Sequence, residues 1–299
     1  MPHVKSKRRR LNWIDVVVFS AFALLLAYAG YRVEATLNYR WNWAVIPRYL
    51  LRWDDDKRAW VANLLLIGFL TTLRLALWSS LLAGLIGLTM GLCRTSEDLF
   101  LRLMGRLYVE VIRNLPPLVF IFIFYFFISS QIMPLFDLDG FVQSASPSTL
   151  RIIDTLFGEP DQLADFVPGV LAIALFEGAY ITEIVRAGVQ SVERGQWEAS
   201  KALGLGRGQM LRRIILPQAI RRIVPALTGQ FVSLIKDSAI VSLISVPELT
   251  FRGSQVTAST GSIFEVWITI AVLYFLLCFS CSRLFARLHG IEKARTVHG

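Results

Sequence analysis

The sequence holds little of what catalytic or cross-linked proteins rely on. It has 3 histidines and 3 cysteines in 299 residues. His3, His289 and His298 all lie near the ends, so no histidine-rich metal site can be assembled from the middle of the chain. Cys93, Cys278 and Cys281 sit inside apolar runs, where a thiol behaves as a small hydrophobe, and no disulfide framework is implied. Cys278 and Cys281 have the spacing of half a metal site, but no second ligand pair accompanies them. A G-x-x-x-x-G-K-[ST] loop is missing too. Gly204, Gly206 and Gly208 alternate without the lysine that a phosphate cradle needs, so the chain is not expected to bind ATP itself. Neither H-E-x-x-H nor G-x-S-x-G occurs, which argues against a membrane-embedded enzyme. Alternating ten-residue segments, the mark of a membrane barrel, are absent as well.

What the chain does have is apolar length. Hydrophobic residues make up 55% of it and the mean hydropathy is +0.54, more than a domain with a fully solvated surface carries. A membrane-crossing helix needs about 20 mainly apolar residues. Stretches of that order run from Ile14 to Tyr31, Leu64 to Cys93, Leu107 to Ser129, Phe166 to Val185, Ile223 to Val246 and Ile263 to Ser282. The expected fold class is therefore all-α, a polytopic membrane helical bundle. The first run is long and lacks an A-x-A-like cleavage site close behind it, so it reads as a retained anchor.

The net charge of +9 would suit a nucleic-acid partner, but its location argues otherwise. Basic residues concentrate in Lys5 to Arg10, in Arg194 to Arg222 and after Arg283, at the ends of apolar runs, which is the pattern of the positive-inside rule. With both termini placed in the cytoplasm, 19 Lys and Arg fall on inner segments and 9 on outer ones. Asp137, Asp139, Asp154, Glu159, Asp161 and Asp165 share one outer loop. The segment after the first run disagrees, with Arg32, Arg40, Arg48, Arg52, Lys57 and Arg58. Its Trp41, Trp43, Trp53 and Trp60 place it along the membrane interface. The chain divides into residues 1–62 (tail, first helix and interfacial segment), a bundle over 63–288 and a cytoplasmic tail over 289–299.

The most specific signal lies between the fourth and fifth runs, over 193–217. Ala199, Ser200 and Ala202 leave a helix surface that another protein can approach closely. Glu198 sits near the helix start, where the macrodipole favours negative charge. Gly204 is expected to end the helix in a left-handed cap, and Pro217 to open the next one. Glu198-Ala199-Ser200, then Gly204, Ile214, Leu216 and Pro217, resemble the EAA loop of bacterial ABC importer permeases: E-A-A, three residues, G, nine residues, I, one residue, L-P. Ser200 stands where the third position is usually Ala, a small residue for a small one. Thr72-Leu73-Arg74-Leu75, the stretch Arg113 to Val119, the stretch Ala179 to Gly188 with Glu183, Leu216 to Ile220 and Lys236 to Val241 resemble motifs of the polar amino-acid branch.

That resemblance covers Leu64 to about Leu288 and leaves 131–165 outside. It implies a type I importer with a five-helix permease core, here preceded by one N-terminal transmembrane helix in the inner membrane. It also implies partners: a cytoplasmic ABC ATPase dimer holding ATP and Mg, a second permease subunit, identical or paralogous, and an extracytoplasmic binding protein that delivers an amino acid. A secondary transporter or channel would share the basic loops and buried charges but would not need the EAA spacing.

Charges inside apolar runs are costly and mark candidate path or gate residues, here Arg113, Glu177, Glu183, Lys236 and Asp237. Lys236 and Asp237 fall about midway along their run, with Glu177 as the expected partner of Lys236. Arg74, Arg186, Arg221, Arg222 and Glu265 have a plainer reading, reaching an interface along their stems. Gly87-x-x-x-Gly91 is a close-packing pair, within the chain or between subunits.

Overall fold

The computed structural model describes residues 13–37 and 39–297, so the basic tail from Lys5 to Arg10 lies outside the described residues. Among the described residues, six helices are long and apolar enough to cross a membrane. The first, α1 (Trp13–Leu37), belongs to a unit of its own that ends at Trp43, and its described side chains are exposed throughout.

From Ala44 onward the chain forms a second unit. It opens with α2 (Val45–Leu50) and an antiparallel hairpin, β1 (Leu51–Asp54) with β2 (Ala59–Ala62), in which Trp53 and Trp60 are paired with their rings 5.7 Å apart. Two of the four tryptophans read as interfacial, Trp53 and Trp60, thus lie on a small strand pair, a departure from pure helix. Val45 and Ile46 are buried with Leu65, Leu249 and Val266, so this segment packs on the bundle that follows it.

Asn63 accepts from the Leu64 amide at 2.8 Å and starts α3 (Leu64–Arg94). Then come α4 (Leu99–Arg113), α5 (Pro117–Ile123), a π-helical turn at Phe124–Ser129, α6 (Ser130–Ile132) and a 3-10 turn at Met133–Leu135. The expected span from Leu107 to Ser129 is therefore broken. Pro116 and Pro117 cannot donate to a helix ladder, and the residue before a proline is pushed out of the α region, so α4 stops and α5 restarts. Helix α4 is amphipathic. Gly105, Val109 and Ile112 face the bundle, while Leu99, Phe100, Leu103 and Leu107 face outward.

The loop left outside the resemblance is folded into α7 (Leu138–Ser144) and α8 (Pro147–Leu156). Arg74 has a fixed partner in this loop. Its Nε donates to the Thr155 carbonyl at 3.2 Å, and the Trp78 indole donates to the Leu156 carbonyl at 3.0 Å, so α3 closes the C-terminal end of α8.

Helix α9 (Leu163–Gln190) is the centre of the bundle: 67% of its apolar stretch is buried, against 33% for α3. Gly87 and Gly91 of α3 face Ile181 and Val185 of α9, which assigns the small-residue pair to packing within the chain. Beyond α9 come α10 (Arg194–Ala202), α11 (Arg207–Met210), a π turn at Leu211–Ile215 and α12 (Leu216–Asp237). Pro217 stands in the first turn of α12, as expected. The chain is helical from Arg207, and the π turn just before Pro217 absorbs the missing hydrogen bond.

The fifth run is also split. Helix α12 ends at Asp237, and a 3-10 stretch, Ser238–Ile244, leads to Ser245 in the left-handed region at φ 67°. Lys236 and Asp237 thus occupy a helix C-terminus, where the lysine charge complements the macrodipole.

The chain closes with α13 (Leu249–Thr260) and α14 (Ile263–Val297). Glu248, fully buried, caps α13 through the Phe251 amide at 2.9 Å and accepts the Tyr274 hydroxyl at 2.7 Å, and burial pushes its carboxyl up from the ordinary range. Glu265 is also fully buried, so its expected reach to an interface does not occur.

Candidate functional site

Two polar ends and one polar interior follow from this fold. At one end α10 and its glycine turn form a hairpin with α12. Gly204 has φ 72°, and its amide donates to the Lys201 carbonyl at 2.9 Å while the Leu205 amide donates to the Ser200 carbonyl at 3.3 Å. Those two bonds are a Schellman cap, which satisfies the last carbonyls of α10 and reverses the chain in one residue. Glu198, Ala199 and Leu203 point outward, with Leu203 75% exposed. Ser200 does not belong to that outer surface. It is 1% exposed and its hydroxyl donates to the Gln196 carbonyl, so the position is small because it is buried. Ile214 and Leu216 are half-buried against the main core, and Pro217 is exposed.

The hairpin is tied down on two sides. Gln218 donates to Gln196 at 3.2 Å, and Arg222 donates to the Ser191 carbonyl. Arg207, just past the glycine turn, pairs with Glu97 and donates to the Thr95 carbonyl, both in the turn between α3 and α4. Nothing in the sequence flagged Glu97 as the partner of Arg207, because a loop carboxylate carries no periodicity.

In the interior, Glu177 of α9 is 1% exposed and accepts a hydrogen bond from the Gln230 amide of α12. Asp237 is close enough to Glu177 for their charges to interact, and it accepts from Ser233 at 3.3 Å. Lys236 is not the partner of Glu177. Its side chain is exposed. Adjacent residues point about 100° apart on a helix, which is why one of the pair turns inward and the other out. Gln230 was missed in the sequence, though a lone amide in an apolar run was a usable signal.

Arg113 and Glu183 belong to a different layer. Glu183 accepts from Arg94 at 2.8 Å and from Arg186 at 2.6 Å, and the Arg113 guanidinium lies 5.0 Å from the Tyr180 ring centroid. Six residues of α9 separate Glu183 from Glu177, about 9 Å of rise. The five candidate path residues therefore fall into an acidic interior pair, an arginine-rich cluster nearer the hairpin, and an outlying Lys236. At the far end Arg252 of α13 pairs with Glu159 at 2.9 Å, which joins α13 to the acidic loop.

Comparison with known proteins converges on one family. Residues 83–290 match the family described as binding-protein-dependent transport system inner membrane component. A putative glutamine transport system permease, GlnP of Rickettsia typhi, is 31% identical over 210 residues, covering 70% of this chain and 84% of the relative. The glutamate/aspartate import permease GltJ of Escherichia coli K12 is 30% identical over 237 residues, covering 79% and 89%. A crystal structure of an amino acid ABC transporter with histidines superposes with a TM-score of 0.59 at 32% identity, covering 76% of this chain and 92% of that one. With its matching helices, its glycine-capped hairpin and these relatives, the chain belongs to the binding-protein-dependent transport system inner membrane components, the permease subunits of ABC importers.

Proposed function

We propose that this permease conducts amino acids into the cytoplasm through the bacterial inner membrane, with both termini and the 193–217 hairpin on the cytoplasmic side. The observation that carries the reading is the exposed α10 surface, held by the Gly204 cap, with Glu198, Ala199 and Leu203 turned outward. It suits docking into a groove of a cytoplasmic ATPase dimer. ATP and Mg belong to that dimer, and this chain binds no cofactor. A second permease, identical or paralogous, completes the path, and an extracytoplasmic binding protein delivers the cargo. Orientation is tested by single cysteines at Gln196 and Gln143 in a background lacking Cys93, Cys278 and Cys281. They should label from opposite sides of intact cells, and labelling of Gln196 from outside overturns the arrangement.

The interior cluster serves this function as a polar step in the path. Glu177, Gln230 and Asp237 gather polar groups from two helices inside the bundle, and no basic side chain among the described residues neutralises them. In the reconstituted importer Glu177→Gln should lower uptake at least fivefold while the melting temperature stays near that of the parent. Lys236→Met should change uptake little. A purely structural cluster gives the reverse for Glu177→Gln, a lower melting temperature with normal uptake per folded complex.

A further inference from the structure

The strand pair at the start of the second unit carries a surface with no role so far. Leu51 pairs with Ala62 and Trp53 with Trp60, and residues two apart on a strand share a face, so these four side chains stand together. That face is apolar and open: Leu51 is 42% exposed, Trp53 51% and Trp60 66%. The alternate face carries Arg52 and Asp54. Asp54 accepts from the Asp56 and Lys57 amides at 3.1 and 3.0 Å and closes the turn, which leaves Asp55, Asp56, Lys57 and Arg58 exposed at the tip. A two-stranded hairpin is marginal by itself, and this one is pinned at its base. There the Asn63 amide donates to the Leu50 carbonyl at 2.9 Å and the Asn63 side chain to the Arg48 carbonyl at 2.7 Å.

The position of the hairpin decides what meets that face. Asn63 is also the cap of α3, a membrane-crossing helix whose other end is the one tied to Arg207 beyond α10. At the Asn63 end Val266 of α14 packs with Leu65 of α3, while its neighbours Trp267 and Ile268 are exposed, so lipid-facing surface reaches the height of the hairpin base. The strands themselves cannot enter hydrocarbon, because the outer edges of a two-stranded pair keep unpaired N–H and C=O groups. They fit the headgroup layer, where tryptophan concentrates because its ring takes the apolar side and its N–H a polar neighbour. A docked protein is the rival occupant. The tip holds two acids and two bases, so it offers no net charge for a partner to complement. Arg48 and Arg52, which disagreed with the orientation count, are exposed near the hairpin base, where lipid phosphates would meet them.

We propose that the hairpin is a membrane-surface anchor. The face of Leu51, Trp53 and Trp60 lies in the headgroup layer of the leaflet opposite α10, and the charged tip stays in water. Through α2 the anchor then fixes the ends of α3, α13 and α14 relative to the bilayer, since Val45 and Ile46 pack on Leu65, Leu249 and Val266. It needs only the membrane-crossing helices and is independent of the cargo. The test places a nitroxide on single cysteines in the full-length chain lacking Cys93, Cys278 and Cys281, reconstituted in phosphatidylcholine vesicles. Collision with oxygen, which concentrates in lipid, is compared with collision with a water-soluble nickel chelate. The oxygen-to-nickel ratio at Leu51→Cys and Trp60→Cys should exceed that at Arg52→Cys and Asp55→Cys severalfold. The contrast between the neighbours Leu51 and Arg52 is the signature, because only alternate residues of a strand share a face. Leu51→Cys keeps the tryptophan pair, so it decides alone if Trp60→Cys lowers the melting temperature. Nickel access at Leu51→Cys equal to that at Asp55→Cys overturns the proposal by placing the face in water. Shielding of Leu51→Cys from both reagents overturns it too, by placing protein on the face.

Discussion

Import by the reconstituted complex should fall at least tenfold when Gly204 is replaced by valine, with the chain still inserted and folded. A Cβ at Gly204 would meet nothing within 4 Å, so crowding is not the cause. The cause is the backbone. At φ 72° a β-branched residue is a true outlier, and the left-handed region costs an L-residue roughly 1–2 kcal/mol. The turn lies at the surface, so the strain is relieved by loosening the two cap bonds to Lys201 and Ser200, which lets α10 swing relative to α11. The bundle itself is untouched. Gly204→Asn should import close to normally, because asparagine enters the left-handed region at little cost. Uptake per folded complex is the measurement. Wild-type uptake by Gly204→Val would mean that the angle set by this turn does not matter to transport.

Gly87→Val is expected to abolish folded protein. A Cβ there would sit 2.3 Å from Ile181 Cγ2 and 3.1 Å from the Ile181 backbone carbon, and neither is the free end of a flexible side chain. Overpacking of this kind costs about 1–3 kcal/mol even where the surroundings yield. Here it would force apart α3 and α9, the most intimate pair in the bundle. Gly84→Val is the control, three residues away on the same helix, with nothing within 4 Å of its Cβ. The measurement is the yield of monodisperse protein and its melting temperature. A Gly87→Val chain that folded normally but no longer paired with a second permease would move the glycine pair to a subunit interface.

Much of this architecture was legible because lipid leaves so few choices. A run of about 20 apolar residues must satisfy its own backbone, and only a helix does so within one segment. Hence the starts of α3 and α14 fall where their apolar runs begin. The breaks were harder to see. Pro116 and Pro117 divide the third run, but both are apolar and do not interrupt hydropathy. The end of α12 at Asp237 has no proline or glycine to announce it. The hairpin was legible to the residue at Gly204, since one conformation there requires glycine. The burial of Ser200 was not, because a small side chain suits a buried contact and an exposed one equally. The inward turn of Glu177 toward Gln230 depends on where α12 crosses α9, which spacing along one helix does not contain.

The clasp of Arg207 on Glu97 and the Thr95 carbonyl makes a mechanical linkage of two loops that are far apart in sequence. A push on α10 cannot stay local. It meets α12 through Gln196 and Gln218, and the turn between α3 and α4 through Arg207. Gly105 of α4 lies so close to Met90 and Arg94 of α3 that the two helices turn at that corner as a rigid elbow. Two packed arms lead inward from the hairpin, one along α12 to Gln230 and Asp237, the other through α4, whose Tyr108 hydroxyl donates to the Leu175 carbonyl of α9 at 2.7 Å. Both arms converge on the same stretch of α9, the one that carries Glu177.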